Sequence, residues 1–430
     1  MLKKLTLLFV VVLLTASLSK AQWRYDGPWP DTTRKGGTHG LEVAPDGKIW
    51  QASYYKTIWN GKSVSPILVY YPDGSKVDTI FTVKTGTITD TLGLGGGTSG
   101  TRGLCKDEKG NILFISSGPN KMIKIDYKTY QGLGRYLIST TASEIGSSPA
   151  GPAVSENGTV FLGPVVGNGA ATARIAMFDK DFNYFGSAVT APPDIVRTFK
   201  VSKDGNSIYW TKFTGKMGIL VYERPSEFDF FAAKDSIVYG MSIESAAWHP
   251  KSGLLYVSND SRGTDKKYTH LTWYGINVTT KALADSFKMP SPITPAAPDE
   301  LPRAIAFSAD GNVAYVGLFG TAFNRIYKFT KVGTSVEKLD EIPTGYELSQ
   351  NYPNPFNPTT NIRFSLPESG FATLKVYNTL GQEVATLINE FKNAGSYQVD
   401  FNAKDLSSGM YLYTLTTGKA TISKKMLLVK

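Results

Sequence analysis

The chain holds one cysteine and three histidines among 430 residues. With Cys105 alone, no intramolecular disulfide can form, so stability must come from packing. Cys105 is expected to be a small buried thiol on a strand, since it has no nearby histidine to activate it as a nucleophile. The histidines, His39, His249 and His270, are too few and too far apart in sequence for an imidazole metal site. His249, just before Pro250, suits a turn-packing role. No cofactor is implied. The excess of basic residues, 46 against 36 acidic, is scattered. Nucleic-acid binding needs a clustered basic stripe with aromatic platforms, so that class of partner is excluded. Long apolar runs are also missing: the longest, Leu5 to Leu14, is too short to span the roughly 30 Å of a bilayer's hydrocarbon core as a helix. It sits instead in "MLKKLTLLFVVVLLTASLSKA", where Lys3 and Lys4 precede it and Ser19-Lys20-Ala21 follow. That order is a signal peptide over residues 1–21, with the mature chain starting at Gln22. Its removal takes three lysines and no acid, which lowers the net charge from +10 to +7. The expected product is exported and carries no integral membrane segment.

What is present in quantity is a repeat. "HGLEVAPDGKIWQASY" from His39, "RGLCKDEKGNILFISSG" from Arg102, "GPAVSENGTVFLGPV" from Gly151, "RTFKVSKDGNSIYWTKF" from Arg197, "SAAWHPKSGLLYVSND" from Ser245 and "RAIAFSADGNVAYVGLF" from Arg303 share one plan. Each is an apolar strand, a polar turn ending in glycine, and a second apolar strand. The turn glycines (47, 110, 158, 205, 253 and 311) are spaced by 63, 48, 47, 48 and 58 residues. A period near 48 headed by a hairpin predicts four-stranded blades. Six of them fill residues 36–340 of an all-β domain spanning 22–344. The two long spacings mark insertions, the Gly/Thr-rich Gly86–Thr101 and the Pro-rich Met289–Arg303, both expected to be surface loops. The hairpins resemble those of six-bladed NHL, gluconolactonase-like or streptogramin-lyase-like β-propellers. That likeness implies architecture, and folds of this kind host binding platforms, scaffolds, lyases and lactonases alike.

From Tyr346 the repeat gives way to shorter alternating strands, as in "NIRFSLPESG", "GSYQVDF" and "GMYLYTL". They predict a small Ig-like β-sandwich over residues 345–430. "YPNPFNPTT", "LKVYNTLGQEVATL", "SSGMYLYTL" and the final "KKMLLVK" are very similar, in order and spacing, to the type A C-terminal sorting domain of the type IX (Por) secretion system of Bacteroidetes. The residues carrying the likeness include Tyr352, Pro353, Asn354, Pro355, Gly381, Gly409, Tyr411, Lys425 and Lys430. The resemblance implies passage through the periplasm and then the outer-membrane type IX translocon as partner. It also implies a protein displayed on the cell surface or released, in a family whose sorting domain is often cut off.

Innermost propeller strands begin around a central channel, so equivalent repeat positions should converge there. They are His39, Arg102, Pro152, Arg197, Glu244 with Ser245, and Arg303. Three arginines and a histidine at one mouth suit a carboxylate, phosphate or sulfated sugar. The competing expectation is that they pair with acids such as Glu244, Asp299 or Glu300. A hydrolase or lyase acting on a sugar acid or polysaccharide would have to use His39 or Glu244 as its acid/base, the weak catalytic candidates. Tyr54, Tyr55 and Trp59 in blade one could form a glycan platform. "DKDFN", Asp179 to Asn183, opens like a calcium loop but has Tyr184 and Thr190 where the loop's glycine and acid belong, which favours a hairpin turn.

Overall fold

The computed structural model describes residues 22–30, 37–53, 56–94, 100–116, 120–138, 145, 149–165, 174–190, 192, 196–213, 217–260, 267–290, 301–319, 325–332, 336–339, 345–392 and 394–430. The signal peptide expected at 1–21 lies outside these residues, as do Tyr54, Tyr55, Asp299 and Glu300. The chain divides into two compact units, Trp23–Lys331 and a C-terminal unit from Val332 to Lys430.

The first unit is built from six four-stranded antiparallel sheets. Their innermost strands are Thr38–Val43, Thr101–Lys106, Ala153–Val154, Val196–Val201, Ala246–Trp248 and Leu301–Phe307. In each sheet the first two strands are the hairpin read from the repeat. The turn residue Gly311, for example, has φ +74°, and its amide donates to the Ser308 carbonyl at 2.9 Å. Within the same turn Ser308 Oγ donates to Asp310, and Asp310 Oδ1 accepts the Asn312 amide at 3.0 Å. Second strands such as Ile112–Ser116 and Leu255–Asn259 are buried at every position, because neighbouring sheets cover both faces. Trp50 and Trp210 are fully buried on second strands, and Trp273 on a third strand, Thr272–Asn277.

Two features differ from the sequence reading. The repeat that starts at Arg303 supplies only three strands. The fourth strand of that sheet is Gln22–Trp29, paired with Ile326–Val332. It is anchored by Trp23, whose Nε1 donates to Asp285 Oδ2 at 3.0 Å and whose ring lies 5.0 Å from Phe287. Second, Gly86–Thr101 does not begin as an open loop. Thr82–Thr85 and Ile88–Thr91 form a hairpin, and Asp90 on it is buried. Asp90 accepts from Arg135 Nε at 2.7 Å and faces Lys121 Nζ at 2.7 Å. Threonine favours strands, and the buried pairing of Asp90 fixes the segment. The remainder of the insertion, 95–99, and residues 291–300 of the other lie outside the described residues.

The C-terminal unit has two four-stranded sheets sharing one apolar core that includes Ile362, Phe364, Leu374, Val376, Tyr413 and Leu415. One sheet also takes in Val336–Leu339, paired with Gly395–Asn402. The unit therefore begins ahead of the 344/345 boundary expected where the repeat ends.

Candidate functional site

The innermost strands share a local irregularity. His39 is skipped in the register between Thr38 and Gly40, Gly103 between Arg102 and Leu104, Arg197 and Thr198 between Val196 and Phe199, and Arg303 between Pro302 and Ala304. A β-bulge bends its strand and re-aims the extra side chain. Here the bulges turn His39, Arg197 and Arg303 into one cavity of about 250 Å³. Its lining also includes Arg102, Glu244, Val165 and Phe319. At Gly103, φ is +48° and an added Cβ would lie 2.2 Å from the Gly151 Cα, so only glycine lets these two strands approach.

Glu244 is 1% exposed. Arg303 Nε donates to its Oε2 at 3.1 Å, and Arg197 Nε stands 3.7 Å from the same oxygen, beyond hydrogen-bond reach. Glu244 Oε1 is buried with no hydrogen-bond partner. Burial pushes the Glu244 carboxyl up, against the pull of Arg303 and Arg197. Arg303 also points Nη1 at His39 Nε2, 3.2 Å away, and its guanidinium lies 4.0 Å from the Phe319 ring centroid. Because a guanidinium only donates, His39 Nε2 must accept, which places the imidazole proton on Nδ1. Burial, then the charges of Arg303, Arg102 and Arg197, hold His39 well below its ordinary range, so it is neutral.

Chemically, Arg303 is already committed to Glu244, His39 and Phe319. Arg197, with 31% of its side chain exposed against 13% for Arg303, retains donor capacity for a ligand. Among the described residues on the lining, three guanidiniums stand beside one acidic side chain, Glu244, and the buried Asp260, off the lining, also acts electrostatically on Glu244 and Arg303. His39 is neutral, and its Nε2 lone pair faces a guanidinium. Among the described residues no group of three His, Cys, Asp or Glu could hold a metal ion.

The sequence reading brought His39, Arg102, Arg197, Glu244 and Arg303 to one place, as the cavity lining does. Glu244 is the acid that pairs with two of the arginines. Phe319 and Phe213 were overlooked, although each stands sixteen residues after an arginine of the repeat, Arg303 and Arg197, and each carries that arginine over its ring. Trp59 is part of a short hairpin, Thr57–Trp59 with Lys62–Val64, and stacks on Phe81 at 5.4 Å. Asp179 Oδ1 accepts the Asp181 and Asn183 amides, both at 2.9 Å, in a hairpin turn. His249 Nε2 donates to Gly311 O at 2.9 Å, and its Nδ1 accepts the Ser252 amide at 3.1 Å, which leaves neither nitrogen for chemistry. His270 Nε2 pairs with Asp260 Oδ1 at 3.0 Å. Cys105 is buried, and burial pushes its thiol up.

In the C-terminal unit, "NYPNPFNP" is fastened to the last strand, Thr421–Leu428. The Phe356 amide donates to Leu427 O at 3.0 Å, the Val429 amide to Phe356 O at 3.0 Å, and the Leu427 amide to Asn354 Oδ1 at 2.9 Å. Asn351 is buried. Its amide donates to the Tyr413 hydroxyl at 2.8 Å, and that hydroxyl donates to Ser349 O at 2.8 Å. Tyr411 is buried and its hydroxyl donates to Ser407 O at 2.8 Å, while Tyr352 is 80% exposed.

Residues 350–430 match the family described as the secretion system C-terminal sorting domain of Por type. The C-terminal unit is a sorting domain. It directs export by the type IX secretion machinery to the cell surface or the extracellular space. All nine residues that carried the resemblance, from Tyr352 to Lys430, fall inside the matched range of the sorting domain. No curated protein matches the chain. Among solved structures, a protein of unknown function from Bacteroides thetaiotaomicron is 10% identical with a TM-score of 0.43, covering 71% of this chain and 72% of that one. A nidogen/laminin complex chain is 12% identical with a TM-score of 0.40, covering 59% and 80%. The Dos1 propeller is 10% identical with a TM-score of 0.37, covering 94% and 97%. At these scores the likeness carries no weight for what the chain binds.

Proposed function

We propose that the protein is a non-catalytic binding propeller, delivered to the surface or medium by its sorting domain, which captures a small anionic ligand in its central channel. The ligand class is a carboxylate, phosphate or sulfate group on a small molecule such as a sugar acid. One observation carries this reading: Arg102, Arg197 and Arg303 line a single cavity on whose lining, among the described residues, the acidic side chain is Glu244. A volume of about 250 Å³ falls just under the roughly 300–1,000 Å³ of pockets for drug-sized molecules, so the part of the ligand held in this cavity is of monosaccharide scale rather than polymeric. The hydrolase or lyase alternative draws no support from the same geometry, since His39 and Glu244 are both engaged by Arg303.

The test is a thermal-shift titration of the exported chain with glucuronate, phosphate, sulfate and, as neutral control, glucose. Binding at a hundredfold excess over Kd should stabilise by about 2.7 kcal/mol. The melting temperature should rise with anion concentration and not with glucose, and Arg197→Gln should weaken the response. A flat response to every anion refutes the reading.

A further inference from the structure

A second tier of charge lies further along the innermost strands. Three residues beyond His39, Gly103 and Arg197 stand Glu42, Lys106 and Lys200. These three line a second cavity of about 280 Å³ that shares His39, Gly103, Gly151, Arg197 and Arg303 with the first. The tier is unevenly satisfied. Lys106 Nζ donates to Glu42 Oε1 at 2.8 Å and to Val43 O at 2.9 Å, so those two charges cancel. Lys200 is half-buried, and although its backbone pairs with Tyr209, its side chain makes no hydrogen bond or ion pair among the described residues. It leaves a cationic group in a chamber whose other walls include Trp248 and Phe307. An ammonium with no carboxylate beside it gains from an anion brought to it.

Resting on the anion-binding reading above, we propose that Lys200 is a second anion subsite. The ligand is then a rod-shaped dicarboxylate, with one carboxylate at Arg197 and the other at Lys200. Both residues sit on the strand Val196–Val201. Three residues at about 3.3 Å each put their Cα atoms no more than ~10 Å apart. That span suits an aliphatic α,ω-diacid or a uronic-acid disaccharide. A monocarboxylate would satisfy one end only.

Calorimetric titration of the full exported chain at fixed ionic strength, with butyrate, succinate, adipate, suberate and digalacturonate, tests this. Joining two anionic groups makes the second contact intramolecular, so the best-matched diacid should bind at least about tenfold more tightly than butyrate. Lys200→Gln should bring the ratio of diacid to butyrate affinity to about one, while Arg197→Gln should weaken every acid. Diacids no tighter than butyrate, or a ratio untouched by Lys200→Gln in a variant that melts like the parent, overturns the second subsite and leaves the first standing. Failure of every acid to bind overturns both.

Discussion

Replacing Arg303 by methionine should destabilise the propeller in a way that depends on pH. The substitution keeps most of the side chain's length and removes its charge. Glu244, with a side chain that exposes nothing to solvent, then loses its only hydrogen-bonded cation among the described residues and keeps Arg197 at 3.7 Å. Removing one partner of a buried pair costs about 3–5 kcal/mol. A unit charge pair about 4 Å apart at an effective dielectric of 20 gives roughly 4 kcal/mol, consistent with that range. The contact with the Phe319 ring goes as well. The Glu244 carboxyl is already raised above its ordinary value by burial, and losing Arg303 raises it further. A carboxyl raised on folding makes the native state hold more protons than the unfolded state, between the folded value and the unfolded value of about 4.3. Stability therefore increases as pH falls through that window. The deficit of Arg303→Met relative to the parent should be greatest at about pH 7.5 and should shrink as pH approaches about 5. Urea unfolding followed by tryptophan fluorescence reads this cleanly, because all seven tryptophans lie before residue 274 and so in the propeller. A deficit below about 1 kcal/mol near neutral pH, against the roughly 3–5 expected, or one that stays constant as the solution is acidified, would refute the reasoning.

Three further outcomes are expected. Gly311→Ala should cost at least about 2 kcal/mol by the same fluorescence assay, from left-handed backbone strain and overpacking. At φ +74° its new Cβ would lie 2.4 Å from the Cε1 atom of His249, whose ring is itself held by the hydrogen bond to Gly311 O. Tyr413→Phe should cost the sorting domain about 1–3 kcal/mol, read by chemical denaturation monitored by circular dichroism, since it strands the buried Asn351 amide. Deleting residues 350–430 should abolish appearance of the protein at the surface or in the medium, read by immunoblot of cell fractions, because the matched sorting domain is lost.

The hairpins were legible because their chemistry is local. A polar pair and a glycine fix the turn, and the six turn glycines do lie at positive φ, from 67° to 85°. The convergence of His39, Arg102, Arg197 and Arg303 was legible because a ring repeats its positions. What escaped was non-local or irregular. The pairing of Gln22–Trp29 with Ile326–Val332 has no periodic signal, since the partners stand at opposite ends of the propeller sequence. The bulges that aim His39, Arg197 and Arg303 depend on a one- or two-residue slip that no composition reveals. The attachment of "YPNPFNPTT" to the final strand by Asn354 and Phe356, and of Asn351 to Tyr413, runs largely through backbone groups that side-chain pattern does not encode.

The shared sixth sheet has a consequence for the order in which the molecule can be made. Asp26 and Thr330 meet across it although 304 positions separate them in the chain. A polypeptide delivered from its N-terminus presents one half of this clasp first and the other only when the propeller sequence is nearly complete. Contacts so distant in sequence are slow to form, since a long loop must close before they contribute. Until then the strand Ile326–Val332 has an unpaired edge, and the five earlier blades form an open arc. Closing the ring thus depends on pairing the two ends of the propeller sequence, which ties a string of similar hairpins into one body.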